Sequence, residues 1–129
     1  MSQAASQAAV FYRDVAEHRI VWTLFDDGGY PAPLTRSGRR SMPWWSSTTR
    51  VQKIIRTVPA YSGFTPIGFT WEDFLAEWVP QLRKDRFLAG VNWSGKRALG
   101  YDLEPDDVVA NVTAVMEGRV ALLPGRRRS

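Results

Sequence analysis

The sequence predicts an α+β fold: a single domain with an antiparallel or mixed sheet of about four to six strands and about four helices packed on it. Two observations lead to this prediction. Apolar side chains recur at spacings of three and four in several segments, as in amphipathic helices, and alternate in segments between them, as in strands. The 129 residues also have the size of one domain, with no internal repeat or linker. We therefore assign residues 1–123 to one globular domain and residues 124–129 to a basic C-terminal tail.

The chain begins with a predicted helix that is followed by strands. The helix is alanine-rich, and spacings of three and four relate Ala4, Ala8, Phe11, Val15 and His18. Residues 20–25 form a run of β-branched and aromatic side chains that is typical of a strand. The turn signal at residues 26–29 predicts a hairpin, with residues 30–35 as a return strand that Pro31 and Pro33 place at an edge or make irregular. Residues 41–45 predict a further short strand, and residues 61–68 a loop or another short strand.

Two helices are predicted in the middle of the chain, each behind a capping residue. The first follows the hydroxyl cluster at residues 46–49, and Pro59 ends it. Its apolar stripe is Val51, Ile54, Ile55 and Val58. The second starts after the N-cap Thr70, and Pro80 predicts a kink or an early end near Val79. Its apolar stripe is Trp71, Phe74, Leu75, Trp78, Val79 and Leu82.

A second hairpin and a final helix complete the predicted domain. The hairpin pairs residues 87–93 with residues 98–103 across a Ser-Gly turn. The helix begins near Pro105 and ends at Gly118, which is a natural C-cap residue. Its core positions are Val108, Val109, Val112, Val115 and Met116. Residues 120–123 predict a last strand or a loosely docked segment.

The positive charge of the chain lies mainly at its C-terminal end. The formal net charge is +4, from 17 basic and 13 acidic residues, and three of the basic residues are Arg126, Arg127 and Arg128. The rest of the chain is almost neutral, whereas a nucleic-acid-binding domain normally carries a basic stripe on its fold. We therefore do not expect nucleic acid as the main partner. An accessory role through the tail and the basic helix at residues 50–56 stays open.

The composition excludes several kinds of chemistry. Cysteine is absent, which excludes disulfides, thiolate metal sites and cysteine nucleophiles. The single histidine, His18, has no evident triad partner and cannot form a multi-histidine metal site within one chain. We expect neither a metal nor a cofactor. No stretch reaches the ~20 apolar residues of a membrane span, and the first residues lack a secretory-signal pattern, so we expect a cytoplasmic protein without a membrane partner.

Two polar segments next to tryptophans contain the candidate binding residues. The candidates are Trp44, Trp45, Ser46, Ser47, Arg50, Asn92, Trp93 and Lys96. The first five stand at a predicted helix start, where free N–H groups favour an anion, and the last three stand at the hairpin turn. A strand directs adjacent side chains to opposite faces, so we expect one ring of the Trp-Trp pair to be exposed. A purely structural interpretation, as caps, turn residues and core tryptophans, stays open.

Three functions are compatible with these features. The leading hypothesis is a non-enzymatic binding module that contacts an unknown protein partner through a concave, aromatic-lined surface, and the small size suggests an immunity-like role. The second is a protein or enzyme that binds a small anion at the helix start of residues 46–50. The third is the nucleic-acid accessory role. Because no catalytic constellation is recognisable, we favour a protein without enzymatic activity.

Several short motifs occur in a fixed order along the chain. They are VWTL at 21–24, PWWS at 43–46, Tyr61, the helix with Phe74, Leu75, Trp78, Val79, Pro80 and Leu82, GVNWSG at 90–95, GYD at 100–102 and Pro105. Together they resemble a bacterial family known as domain of unknown function 2750. At residues 85–87 the sequence departs from that family's pattern, which has a glycine after the acid. The resemblance implies a small soluble bacterial protein and implies no particular activity.

Overall fold

Helices and strands alternate along residues 2–118, which are the residues that the computed structural model describes. The helices are α1 (Gln3–His18), α2 (Thr48–Thr57), α3 (residues 71–85) and α4 (Pro105–Met116). The strands are β1 (Ile20–Phe25), β2 (Ser41–Trp44), β3 (Thr65–Thr70), β4 (Leu88–Ser94) and β5 (Leu99–Leu103). Four helices and five strands in one domain confirm the predicted α+β fold. The predicted strand at 120–123 and the tail at 124–129 lie outside the described residues.

The strands form two sheets that meet at a single bridge. β2, β4 and β5 form a three-stranded sheet in that order, in which β2 runs parallel and β5 antiparallel to the central strand. The parallel pair needs a long connection, which α2, β3 and α3 supply. β1 and β3 form a separate antiparallel pair. Trp22 on β1 and Trp45 after β2 exchange backbone hydrogen bonds of 2.8 and 2.7 Å, which align the two sheets.

The strand partner of β1 is distant in sequence, so the predicted first hairpin is wrong. The predicted turn forms, because Asp26 and Gly29 exchange backbone hydrogen bonds of 2.9 and 3.1 Å. No strand follows at residues 30–35, where two prolines lack the N–H that a ladder requires. β1 pairs instead with β3 over its whole length. The partner therefore lies in a segment whose sequence predicted only a loop or a short strand.

Helix α3 contains a π-helical turn in front of a proline. It consists of α-helical Trp71–Asp73, π-helical Phe74–Trp78 and α-helical Val79–Asp85. The Thr70 hydroxyl accepts a hydrogen bond from the Asp73 N–H at 3.1 Å, so the predicted N-cap is confirmed. The Val79 N–H donates to the carbonyl of Phe74, five residues earlier. This wider turn accommodates Pro80, which has no N–H, and the helix continues instead of ending early.

The π turn changes which side chains of α3 are buried. Phe74 and Val79 both face the core although they lie five residues apart, and Trp71 and Leu82 complete this face. Leu75 belongs to the apolar stripe predicted for a regular α-helix, but it is 38% exposed. The extra residue in the wider turn displaces it from the inner face. The prediction of Leu75 as a core residue is therefore wrong.

The buried apolar side chains form two hydrophobic cores. The larger core lies against α1, α3 and α4, and its buried members include Phe11, Trp44, Phe74, Val91 and Val112. The smaller core lies under α2 and a single 3-10 turn, Pro59–Tyr61, and includes Leu24, Trp45, Ile54 and Trp93. The adjacent residues Trp44 and Trp45 therefore enter different cores.

A bulge in β4 places the side chain of a tryptophan against two glycines. The register between β4 and β5 shifts within residues 91–94, and Asn92 has a φ of 48°, in the left-handed region. The Trp93 indole consequently lies against the backbone of Gly90 and Gly100. A Cβ atom at Gly90 would overlap the indole, and one at Gly100 would lie 2.9 Å from its Cδ1. The glycine-rich motif of this hairpin thus makes room for one buried aromatic ring.

The contact between Gly90 and Trp93 can be tested by adding a single methyl group. Gly90→Ala is expected to lower the free energy of unfolding by about 1–3 kcal/mol, because the new Cβ overfills the smaller core. Urea unfolding followed by circular dichroism measures the change. Gly28→Ala is the control, since its Cβ would meet only the flexible carboxylate of Asp26 at 3.2 Å. That control should stay within about 0.5 kcal/mol of the parent, and equal losses in both variants would contradict the overlap.

Candidate functional site

Four polar residues meet at a buried junction between α1, β4 and the end of β2: Gln7, Asp14, Ser46 and Asn92. Asn92 is fully buried, and its Oδ1 accepts from the Ser46 N–H at 2.9 Å. Its Nδ2 donates to the Gln7 carbonyl at 3.1 Å and to Ser46 Oγ at 3.0 Å. Ser46 Oγ in turn donates to Asp14 Oδ2 at 2.8 Å. One amide thus ties three segments together with both of its donors and its acceptor in use.

The junction brings the two predicted polar segments side by side. Besides the contact of Ser46 with Asn92, the Trp45 indole N–H donates to the Trp93 carbonyl at 2.9 Å. The Ser47 hydroxyl accepts from the Arg50 N–H at 3.2 Å and caps α2. Both serine hydroxyls therefore serve the fold. The anion site predicted at the helix start has no support from these two side chains.

The candidate tryptophans are buried. Trp44 and Trp45 have no exposed surface, and Trp93 is 5% exposed. The expectation that one ring of the Trp-Trp pair is exposed is wrong. The chain does direct the two side chains apart, but Trp44 enters the larger core and Trp45 the smaller one, so both rings are covered. The two rings therefore form no aromatic-lined surface that a protein partner could contact.

The indole N–H of Trp44 has no hydrogen-bond partner within residues 2–118. Its ring meets the rings of Phe74, Trp78 and Phe69 at centroid distances of 4.9, 5.2 and 6.2 Å, each in an edge-to-face arrangement. Such arrangements set a positive ring edge against a negative ring face, which stabilises a buried aromatic cluster. Trp44 is therefore a packing residue of the larger core.

An open cleft lies beside the buried junction, between α1, α2 and the β4–β5 turn. Its volume is about 410 Å³. Its lining residues are Gln3, Gln7, Arg50, Lys53, Ile54, Thr57, Trp93, Ser94, Gly95 and Lys96. Three of the candidate residues, Arg50, Trp93 and Lys96, thus share one cleft. We call it the cationic cleft.

Among residues 2–118, no acidic side chain of the lining balances the positive charge of the cationic cleft. Its lining includes Arg50, Lys53 and Lys96 but no aspartate or glutamate. Within residues 2–118, no carboxylate forms an ion pair with any of these three cations. Arg50 Nη1 donates to Gln7 Oε1 at 2.6 Å, and the backbone carbonyl of Gln7 accepts from Asn92. The buried junction therefore also positions the guanidinium group at the cleft.

Seven of the ten lining residues were not candidates from the sequence, and Gln3, Gln7 and Lys53 are among them. Gln3 and Gln7 are four residues apart and so lie on one side of α1, which is a weak signal for any site. Lys53 stands on the basic side of α2, one turn after Arg50, and the sequence predicted only a solvated surface there. Their grouping depends on the packing of both helices beside the β4–β5 turn, which no local pattern specifies.

No metal site is found within residues 2–118. These residues contain no group of three side chains of the metal-ligating types His, Cys, Asp and Glu. His18 is exposed at the C-terminal end of α1, with its ring 3.8 Å from the Glu17 carboxylate. None of the helices in this range is both long enough and apolar enough to cross a bilayer.

The fold and the cleft define a small α+β domain whose polar pocket lies beside a buried hydrogen-bond network. A family model described as protein of unknown function (DUF2750) matches residues 8–112. Because the match covers most of the chain, the protein belongs to this family, as its motifs indicated. The match includes Ser46, Arg50, Asn92 and Lys96 but starts after Gln7. Searches of curated proteins and of solved structures found no match.

The role of Asn92 can be tested with two truncations. Both Asn92→Gly and Asn92→Ala remove the buried hydrogen bonds and should lower the free energy of unfolding by roughly 2–4 kcal/mol. Asn92→Ala should be the less stable by about 0.5–1 kcal/mol, because alanine is strained at a φ of 48°. Chemical denaturation measures both values. Ser94→Ala at the half-buried end of β4 is the control, and a loss as large there would contradict a specific role for the Asn92 amide.

Proposed function

We propose that this protein is a non-enzymatic binding module that takes a small anionic ligand, with a phosphate or carboxylate group, in the cationic cleft. The observation that carries the proposal is the convergence of Arg50, Lys53 and Lys96 without a balancing carboxylate. Unpaired cations in a concave site attract anions, and a guanidinium binds carboxylate or phosphate through paired hydrogen bonds.

The walls of the cleft suit a ligand that also has an apolar part. The side chains of Trp93 and Ile54 line it next to the cations, and Gln3 and Thr57 add neutral polar groups. A volume of about 410 Å³ is within the usual range for small-molecule sites. These features favour a small organic acid or phosphate ester over a bare inorganic ion.

The lining residues favour binding over catalysis. Among the described residues that line the cleft, there is no histidine, carboxylate, tyrosine or cysteine to act as a general acid or base near neutral pH. The serine of the lining, Ser94, stands at the end of β4 without a histidine or carboxylate beside it in the cleft. The arrangement therefore supports binding of an anion and offers no group to catalyse a reaction of it. The cytoplasmic location expected from the sequence belongs to the same proposal.

Anion binding can be measured by two-dimensional NMR titration with phosphate, sulfate and small aromatic carboxylates. We expect dissociation constants on the order of millimolar to micromolar, with the largest shifts at Gln7, Arg50, Trp93 and Lys96. Arg50→Gln and Lys96→Gln should each weaken binding by about tenfold, because each removes a charge-assisted contact. Binding should also weaken as the ionic strength rises.

Two matched variants control for a general change in net charge. Lys84→Gln on α3 and Arg56→Gln on α2 remove one exposed charge each, at positions outside the cleft lining. Both should bind the anions as the parent does. Equal loss in these variants, or shifts that avoid the cleft at tens of millimolar anion, would overturn the proposal.

A further inference from the structure

A second and larger cleft lies beside Trp93. Its volume is about 700 Å³, and its walls are residues 33–36, the turn Pro59–Tyr61 and the start of β5. Trp93 lines both clefts, and it is the residue that their linings share. We call the larger cleft the leucine groove, after Leu34 and Leu99 in its lining.

The two leucines are exposed to an unusual degree. Leu34 is 64% and Leu99 is 60% exposed, the highest values among the large apolar side chains of residues 2–118. Val58 and Ala60 extend the apolar lining between them. Single exposed leucines are common on protein surfaces, but two that line the same groove form a patch that is typical of a docking site.

The charged residues of the groove indicate the chemistry of its partner. Arg36 and Arg97 line it, and no carboxylate within residues 2–118 forms an ion pair with either. The acidic lining residue, Asp102, accepts a hydrogen bond from Ser41 Oγ at 2.6 Å and is held at the sheet surface. The Tyr61 hydroxyl brings no negative charge to the groove, since a tyrosine is neutral at physiological pH and burial raises its pKa further. The groove therefore complements acidic groups next to apolar ones.

The groove also adjoins an open sheet edge. Within residues 2–118, β5 pairs with β4 on one side and with no strand on the other. Leu99, Gly100 and Asp102 of β5 line the groove. An unpaired edge offers backbone donors and acceptors to an extended chain, while an adjacent groove takes that chain's side chains. This geometry favours an extended segment over a compact ligand.

We propose that the leucine groove binds an extended segment of a partner protein that carries leucine-like side chains beside aspartate or glutamate. Apolar side chains of the segment cover Leu34 and Leu99, and its carboxylates pair with Arg36 and Arg97. A second copy of this chain is the poorer occupant, since its net charge is +4. The proposal is independent of the anion site, because the cationic cleft uses different charged residues.

The test is selection from a display library of random peptides against the purified full-length protein. The Leu34→Ser/Leu99→Ser double variant removes the apolar contacts, and Arg36→Gln/Arg97→Gln removes the charges. All four side chains are exposed or line the open groove, so these variants should fold as the parent does. We expect the selected peptides to combine acidic with large apolar residues. Each double variant should weaken their binding by about tenfold or more, because it removes two contacts of the docking surface.

Three further results decide the proposal. The controls are Leu75→Ser on α3 and Lys96→Gln in the cationic cleft. Unchanged binding of the selected peptides to both controls would support the groove as the site. The proposal would be overturned if the selected peptides bound the two groove variants with the same affinity as the parent. It would also be overturned if the selected peptides were basic. Concentration-dependent dimerisation that Leu34→Ser/Leu99→Ser abolishes would also overturn it, since a second copy would then occupy the groove.

Discussion

The side-chain amide of Asn92 holds together three segments that are far apart in the sequence. Its bonds reach the backbone of Gln7 on α1 and both the backbone and the hydroxyl of Ser46 after β2. Asn92 is fully buried, so the donors and the acceptor of its side-chain amide need their hydrogen-bond partners inside the protein. The position of α1 against the sheet and the start of α2 both depend on this contact. The cationic cleft lies where those two helices approach the same turn.

The conformation of Asn92 also shapes the surface. With its φ in the left-handed region, β4 bulges, and Trp93 packs over Gly90 and Gly100. Trp93 also lines both the cationic cleft and the leucine groove. Its indole N–H lies 3.4 Å from the Tyr101 carbonyl, which directs the ring toward β5. One irregular residue therefore accounts for the buried network and the glycine requirement of the hairpin, and it precedes the tryptophan that lines both proposed sites.

Short-range patterns in the sequence determined most of the local structure. Ser47 and Thr70 were recognisable as N-caps, since hydroxyls there precede apolar stripes at helical spacing, and both caps form. The alternation in residues 20–25 and the Ser-Gly turn of the second hairpin gave strands at those places. Caps and turns are formed by groups within a few residues of each other, so they can be predicted from the sequence alone. The ordered tryptophan and glycine motifs likewise indicated the family.

Tertiary structure alone decided what these elements contact. β1 could not pair with the proline-containing segment that follows it. It pairs with β3, which is distant in the sequence, and only the tertiary structure shows this partner. Trp44 and Trp45 alternate as a strand requires, yet both are buried because each enters a core that residues from distant parts of the chain complete. Arg50 and Lys96 were separate candidates, whereas Gln3, Gln7 and Lys53 joined them only through helix packing. Burial and the grouping of charges arise from long-range contacts, for which local spacing carries no information.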